Sequence, residues 1–221
     1  MTRIGLVTIG QSPRDDLISE IRTFVPNSVS IVQAGALDQL SSGEITSHCP
    51  VVPEKTLVTQ LADGSEVRVD KDFVHTCLQQ TVHSLEREVE LIGLLCSGTF
   101  PDLVCKVPLL LPYQLLKGCL PALSLSGRWG VLVPSSDQTQ PMQAEVEGWG
   151  IRAVVKAVSP YTESEYLGEA VCSLIENDVS AILLNCFGYT LGMKATVQMT
   201  TYRPVISVRS LFAHVLAELV A

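Results

Sequence analysis

Two apolar runs in this chain, LIGLLCSGTF at residues 91–100 and SAILLNCFGY at residues 180–189, end in Cys-x-Gly. Each closes the same series of elements: strand, helix, strand, helix, strand. That order is the strongest constraint on the fold. Strands joined through single helices form parallel βαβ crossovers, and repeated crossovers give a parallel sheet with helices on both faces.

The first series opens with RIGLVTIG (3–10), a buried strand. SPRDDLISEIRTF follows as a helix, with Ser12 as its cap and Pro13 at its first position. Leu17, Ile18, Ile21 and Phe24 share one face. VSIVQAGAL is the next strand. TLVTQLADGSEVRVD departs from the pattern: two alternating runs flank Asp63-Gly64, which predicts a tight antiparallel hairpin near 56–70. Asp70 then caps a helix with Phe73, Val74, Cys77, Leu78, Val82 and Leu85 inward, and ELIGLLCSG is the third strand.

VPLLLP reads as an edge strand and YQLLKGCLPALS (113–124) as a helix interrupted by Pro121. RWGVLVPSS repeats the opening strand. A helix near 142–149 and the strand IRAVVKAVSP follow. Thr162 and Glu165 form a capping box for a helix with the stripe Leu167, Ala170, Val171, Leu174 and Ile175. SAILLNCFG, a helix near 192–200, the strand PVISV and the helix RSLFAHVLAELV complete the chain. The expected class is α/β: two similar Rossmann-like lobes with parallel sheets and an active site in the cleft between them. The first lobe spans 1–105, the second 106–205, and 206–221 is a closing helix that packs back on the first lobe.

A chain of 221 residues buries about 70% of its unfolded surface and needs no staples. Its 47% hydrophobic and 17% charged content is that of a globular protein. The net charge of −8, without a Lys/Arg block, excludes nucleic acid and anionic membranes as partners. The start of the chain lacks a signal-peptide pattern, and no apolar window approaches the roughly 18 residues of a membrane span. The expected location is therefore cytoplasmic. The seven cysteines are odd in number, include no C-x-x-C pair and are not grouped with histidines, which argues against zinc and against a disulfide framework. Neither G-x-G-x-x-G nor a P-loop is present.

In open parallel sheets, ligands lie beyond the carboxyl ends of the strands. Cys96 and Cys186 belong at two such ends. Each is followed two residues later by a glycine, Gly98 or Gly188, where a tight turn exposes backbone N–H groups. A helix starting just after the turn would direct further N–H donors at an anion. Ser97, Thr99, Tyr189 and Thr190 add hydroxyls. Two such thiols suit stereoinversion beside a carboxylate: one thiolate removes a proton and the other thiol returns one to the opposite face. The reading requires both sulfurs to reach one pocket; the alternative is that each cysteine simply fills core.

These residues carry a resemblance. IGLVTIGQSPRDD, LLCSGTFP and LLNCFGYT together resemble the AroM family, within the superfamily of aspartate, glutamate and hydantoin racemases, and the match runs through essentially the whole chain. The resemblance implies two α/β lobes with a site between them, one catalytic cysteine per lobe at Cys96 and Cys186, and no metal, pyridoxal phosphate or nucleotide. Ser97-Gly98 and Phe187-Gly188 differ from the residues that usually follow the two cysteines in dicarboxylate racemases; the Cys-x-Gly form is similar to the hydantoin-racemase branch.

Further candidates lie at the same sheet edges. Gln11, Ser12 and Arg14 leave the first strand, and Ser135 and Ser136 leave its counterpart in the second lobe. They are candidate ligands for a substrate carboxylate or amine, against plain roles as helix caps or solvated side chains. Arg209 is a weaker candidate. His48, His75, His83 and His214 read as loop, surface or packing residues. The expected activity is cofactor-independent racemisation or epimerisation of an amino acid or related small carboxylate. Two alternatives stay open: a cis–trans isomerase of an unsaturated diacid with one nucleophilic cysteine, and a non-catalytic small-carboxylate binding protein. A homodimer is an open alternative to a monomer.

Overall fold

Residues Arg3–Thr8 form strand β1, and every residue after Arg3 is buried, as in a strand covered on both faces. The structure, a computed structural model, describes residues 2–123 and 126–221. It divides into two compact units: residues up to Pro112 with Ala213–Ala221, and Tyr113–Phe212.

In the first unit, β1 leads to α1 (Asp15–Ile21), β2 (Ser30–Gly35) and α2 (Ser42–Ser47). The pair β3 (Thr56–Gln60) and β4 (Glu66–Asp70) precedes α3 (Lys71–Leu85), β5 (Leu91–Leu94) and the short β6 (Leu109–Leu110). The sheet order is β2-β1-β5-β6, and each pairing is parallel. Helix α3 buries Val74, Leu78, Val82 and Leu85 in one cluster with Val7, Leu37, Ile92 and Leu94. Burial of each such side chain stabilises by about 1.5–3 kcal/mol. Asp70 caps α3 as its sequence predicts, accepting from the N–H groups of Asp72 and Phe73.

The strands β3 and β4 pair antiparallel, from Thr56 opposite Asp70 to Gln60 opposite Glu66. The turn is wider than a two-residue hairpin. Leu61 N–H donates to the Ser65 carbonyl at 2.9 Å, and the Asp63 carboxylate accepts from both the N–H and the hydroxyl of Ser65. Gly64, at φ 86°, takes the left-handed position of this loop.

One local expectation fails here, and one helix goes unanticipated. Ser12 does not cap α1. Its N–H and hydroxyl both go to the Asp38 carboxylate, at 2.6 and 2.7 Å, and the helix starts only at Asp15. The acidic Asp15 and Asp16 then occupy the first turn, where the helix dipole favours them. Helix α2 was not predicted, although Ser41 and Glu44 form a complete capping box at its start.

The second unit holds α4 (Pro112–Ala122, from Tyr113 on), β7 (Arg128–Val133), α5 (Thr139–Gly148), β8 (Ala153–Ala157), α6 (Leu167–Glu176) and β9 (Val179–Leu184). Then come α7 (Leu191–Thr201), β10 (Val205–Ser207) and the first residues of α8 (Val208–Val220). Pro121 sits in the last turn of α4, and Ser124 of the predicted helix lies outside the described residues. The sheet order is β10-β9-β7-β8, again parallel throughout. Numbered within its own unit, each sheet runs 2-1-3-4, with the hairpin inserted only in the first. Of α8, residues from Ala213 on belong to the first unit, where His214 meets Phe24 edge-on, with ring centroids 4.6 Å apart.

The capping box of Thr162 and Glu165 does not form. The Ser159 hydroxyl instead accepts from the N–H groups of Tyr161 and Thr162 at 3.1 and 3.3 Å, and the Glu163 carboxylate accepts from Ser159 N–H at 3.0 Å. This local turn takes up the polar groups, so α6 starts at Leu167 without a side-chain cap. Leu167, Val171 and Leu174 of the predicted stripe are buried, whereas Ile175 is exposed.

Candidate active site

The third strand of each unit runs past its last sheet residue in the same way. Leu95 N–H donates to the Val7 carbonyl at 2.7 Å, and Asn185 N–H donates to the Leu132 carbonyl at 2.9 Å. The next residue in each case is the cysteine. The chain then turns so that Gly98 N–H donates to Cys96 Sγ at 3.3 Å and Gly188 N–H donates to Cys186 Sγ at 3.4 Å. A backbone donor thus addresses each sulfur.

Glycine is needed for close approach at the second turn, less so at the first. A Cβ on Gly188 would lie 2.5 Å from Pro160 Cγ and 2.6 Å from Tyr161 Cζ. At Gly98 the nearest atoms, including Cys96 Sγ, would be 3.3 Å away. The surroundings differ more than the turns do. Cys96 is partly exposed, whereas Cys186 retains 7% of its surface and packs in a cluster with Leu184, Tyr189 and Val197.

The second turn leads directly into α7. Thr190 caps that helix, its hydroxyl accepting from Met193 N–H at 3.0 Å. The first turn leads into no helix, contrary to expectation: the next one is α4. Pro101 and Pro108 supply no N–H, and two side chains of the first unit hold the intervening loop extended. Gln79 brackets Val104, donating to its carbonyl at 2.7 Å and accepting from its N–H at 2.8 Å, while Glu86 accepts from Lys106 N–H at 2.7 Å. Ser97 and Thr99 are partly exposed beside Cys96.

Several candidate ligands are engaged elsewhere. Tyr189 is fully enclosed, and its hydroxyl donates to the Val158 carbonyl at 2.7 Å. Burial first, then the charges of Cys186, Tyr161 and Glu163, hold its phenol well above the usual range. It braces the turn rather than offering a hydroxyl to a ligand. Gln11 donates to the carbonyls of Leu37 and Leu40, at 3.3 and 3.0 Å, and accepts from Ala62 N–H at 3.0 Å, which ties the hairpin to the sheet edge. Arg14 is buried and forked onto Asp16, at 2.8 and 2.6 Å. Its guanidinium thus already faces a carboxylate of the chain itself. Ser135 is buried and accepts from Asp137 N–H at 3.4 Å; Ser136 is exposed.

The weakest sequence candidate, Arg209, has a defined structural place. It is 1% exposed, and its guanidinium donates through two nitrogens to the Phe187 carbonyl, with Nε at 2.7 Å. It therefore latches the turn that carries Cys186. Lys194 and Ser210, which the sequence reading did not select, adjoin this latch: Lys194 Nζ donates to Ser210 Oγ at 3.0 Å. The signal for Lys194 was its place four residues after the Thr190 cap. His48 stacks on Phe73, with ring centroids 3.6 Å apart.

A hollow of about 420 Å³ opens at the end of β8, lined by Lys156, Val158, Glu163, Tyr166 and Glu169 among others. It includes none of the sequence candidates. Among the described residues, no group of three or more His, Cys, Asp or Glu side chains is placed to hold a metal ion, and no helix is long and apolar enough to cross a membrane.

The family model described as AroM protein matches residues 4–220. The chain belongs to the AroM family. The fold also matches solved structures over nearly the whole chain. Allantoin racemase from Pseudomonas fluorescens has a TM-score of 0.68 at 13% identity, with 99% of this chain and 91% of that one covered. Maleate isomerase from Pseudomonas putida S16 has a TM-score of 0.64 at 14% identity, covering 99% and 92%. Aspartate racemase from Picrophilus torridus has a TM-score of 0.60 at 13% identity, covering 100% and 94%. No curated protein matches the chain in sequence. The chain thus has the two-lobe α/β fold of the aspartate, glutamate and hydantoin racemase superfamily.

Proposed function

We propose that this protein is a cofactor-independent racemase or epimerase of an amino acid or related small carboxylate, with Cys96 and Cys186 as its acid and base. The observation that supports this is the matched pair of turns: each cysteine follows the third strand of a 2-1-3-4 parallel sheet and accepts the N–H of the glycine two residues on.

In this reading the thiolate of one cysteine takes the Cα proton. The C–H bond breaks, an S–H bond forms, and the electron pair moves into the adjoining carboxylate as an enolate. The other thiol delivers its proton to the opposite face, so the enzyme ends each turnover with the two roles exchanged. General acid–base action of this kind contributes about 10²–10⁴-fold per group. The enolate needs preorganised donors as well, and backbone N–H groups at the ends of β5 and β9 are suited to that part. The similarity of fold to allantoin and aspartate racemases supports the reaction class.

The test is NMR in D₂O with mixed amino acids and small carboxylates. Deuterium should enter Cα of one compound, and Cys96→Ser or Cys186→Ser should each slow that exchange about 10²-fold or more. Exchange at the wild-type rate in both variants would sink the reading.

The unequal exposure of the thiols favours one alternative, a cis–trans isomerase of an unsaturated diacid with the more open Cys96 as nucleophile. The fold it shares with maleate isomerase agrees with that alternative. A thioether adduct on Cys96, seen by mass spectrometry without Cα exchange, would select it.

A further inference from the structure

Lys194 lies in the second turn of α7, and its N–H donates to the carbonyl of the cap Thr190 at 3.0 Å. Its side chain reaches the corner where β10 passes into α8. There Nζ meets Ser210 Oγ at 3.0 Å, and Ser210 Oγ donates to the Ser207 carbonyl at 3.1 Å. The lysine is partly buried, and burial holds its ammonium below the ordinary lysine range. Among the described residues no carboxylate pairs with it. Ser207 adds a second unmet demand: it is fully enclosed, and its hydroxyl has no hydrogen-bond partner among the described residues.

The same corner is tied to the Cys186 turn. Arg209, between Ser207 and Ser210 in sequence, bonds the Phe187 carbonyl. Thr190, which opens α7, is only four residues after Cys186. A partly buried cation without a counter-ion, next to the positive end of an eleven-residue helix, is destabilised until an anion arrives. The net charge of −8 makes a local cation the more necessary for an anionic ligand.

We propose that Lys194, at the corner formed by Ser207 and Ser210, binds a carboxylate of the substrate beside Cys186. This rests on the reading of Cys186 as an acid/base group and makes that reading more specific. The substrate is anionic at this end, unlike an uncharged ring such as hydantoin.

The test is isothermal titration of the intact protein with acetate, malonate, succinate and hydantoin. At least one acid should bind the wild type. Lys194→Met should weaken that binding about ten- to a hundredfold, and Lys194→Arg should keep most of it. The hydantoin response should be equal in all three. Lys194→Gln, checked by circular dichroism, serves if the methionine variant does not fold. The proposal is overturned if no acid binds the wild type, or if an acid binds the Met or Gln variant as tightly as the wild type. Cα exchange in the two cysteine variants separates the readings. Exchange that needs both cysteines, with acid binding indifferent to Lys194, removes this subsite alone. Acid binding that needs Lys194, with exchange indifferent to the cysteines, keeps the subsite and removes the racemase.

Discussion

Replacing Gly188 by alanine tests whether the Cys186 turn is as tightly built as its distances imply. The added Cβ would stand 2.5 Å from Pro160 Cγ, 2.6 Å from Tyr161 Cζ and 2.8 Å from Tyr161 Cε1. Carbon atoms rest at about 3.5–4.0 Å, so something must move by about 1 Å. Neither neighbour is a flexible chain end. Both belong to rings in the turn that the Ser159 hydroxyl and the Glu163 carboxylate hold closed. Overpacking of this kind costs about 1–3 kcal/mol, which for a chain of this size lowers Tm by about 2–12 °C. Gly98→Ala is the control. Its nearest contacts, 3.3 Å to Cys96 Sγ, Leu57 Cδ2 and Phe100 Cε2, need give only a few tenths of an ångström. Its cost should stay below about 1 kcal/mol. Both tryptophans, Trp129 and Trp149, lie in the second unit, so a fluorescence melt reports on the unit that carries Gly188. Far-UV circular dichroism follows the whole chain. A Gly188→Ala melt within about 1 °C of wild type, or a larger loss for Gly98→Ala, would refute the packing argument.

Tyr189→Phe removes the donor to the buried Val158 carbonyl and should cost about 1–3 kcal/mol in urea denaturation. Carboxylate affinity should not change; a fall in affinity without loss of stability would show that the phenol faces the ligand. Glu86 supplies a pH test. Lys106 backbone N–H first, and the Lys106 charge after opposing desolvation, hold its carboxyl below the ordinary value. A depressed folded pKa adds stability that is present above the unfolded value and is lost as pH falls through the folded one. The stability difference between wild type and Glu86→Gln should therefore shrink between about pH 6 and pH 2. A constant difference across that range in urea midpoints would contradict the assignment.

The order of strands and helices was legible because periodicity and capping are local. RIGLVTIG and RWGVLVPSS became the first strands of two sheets of equal order, and Asp70 capped α3. The Cys-x-Gly turns were legible for the same reason: a sulfur and the N–H two residues later are joined by a short stretch of backbone. Roles that depend on distant partners were not legible. Ser12 looks like a cap until Asp38, 26 residues away, takes its N–H and hydroxyl. Gln11 looks like a ligand until Ala62, 51 residues away, donates to it. Nothing in GQSPRDD announces either partner. Arg14 is the instructive exception, since Asp16 is two residues off and was visible throughout.

One contrast extends past individual residues. At the edge of the first sheet, the polar side chains that sequence reading favoured are matched to groups of the chain itself: Gln11 to three backbone groups, Ser12 to Asp38 and Arg14 to Asp16. Folding has already supplied each with what a substrate would have offered, so a ligand there must compete with existing bonds. At the edge of the second sheet the balance reverses. Among the described residues, Ser207 is enclosed with no hydrogen-bond partner, and partly desolvated Lys194 meets a serine hydroxyl and no carboxylate. A folded chain keeps such groups at a cost in stability, and a ligand that satisfies them offsets that cost when it binds. Polar character alone did not separate the two edges, because serine, glutamine and arginine read alike whether or not folding satisfies them. On the proposed reading of Lys194, the unmet groups beside Cys186, not the most polar ones, mark the ligand's place.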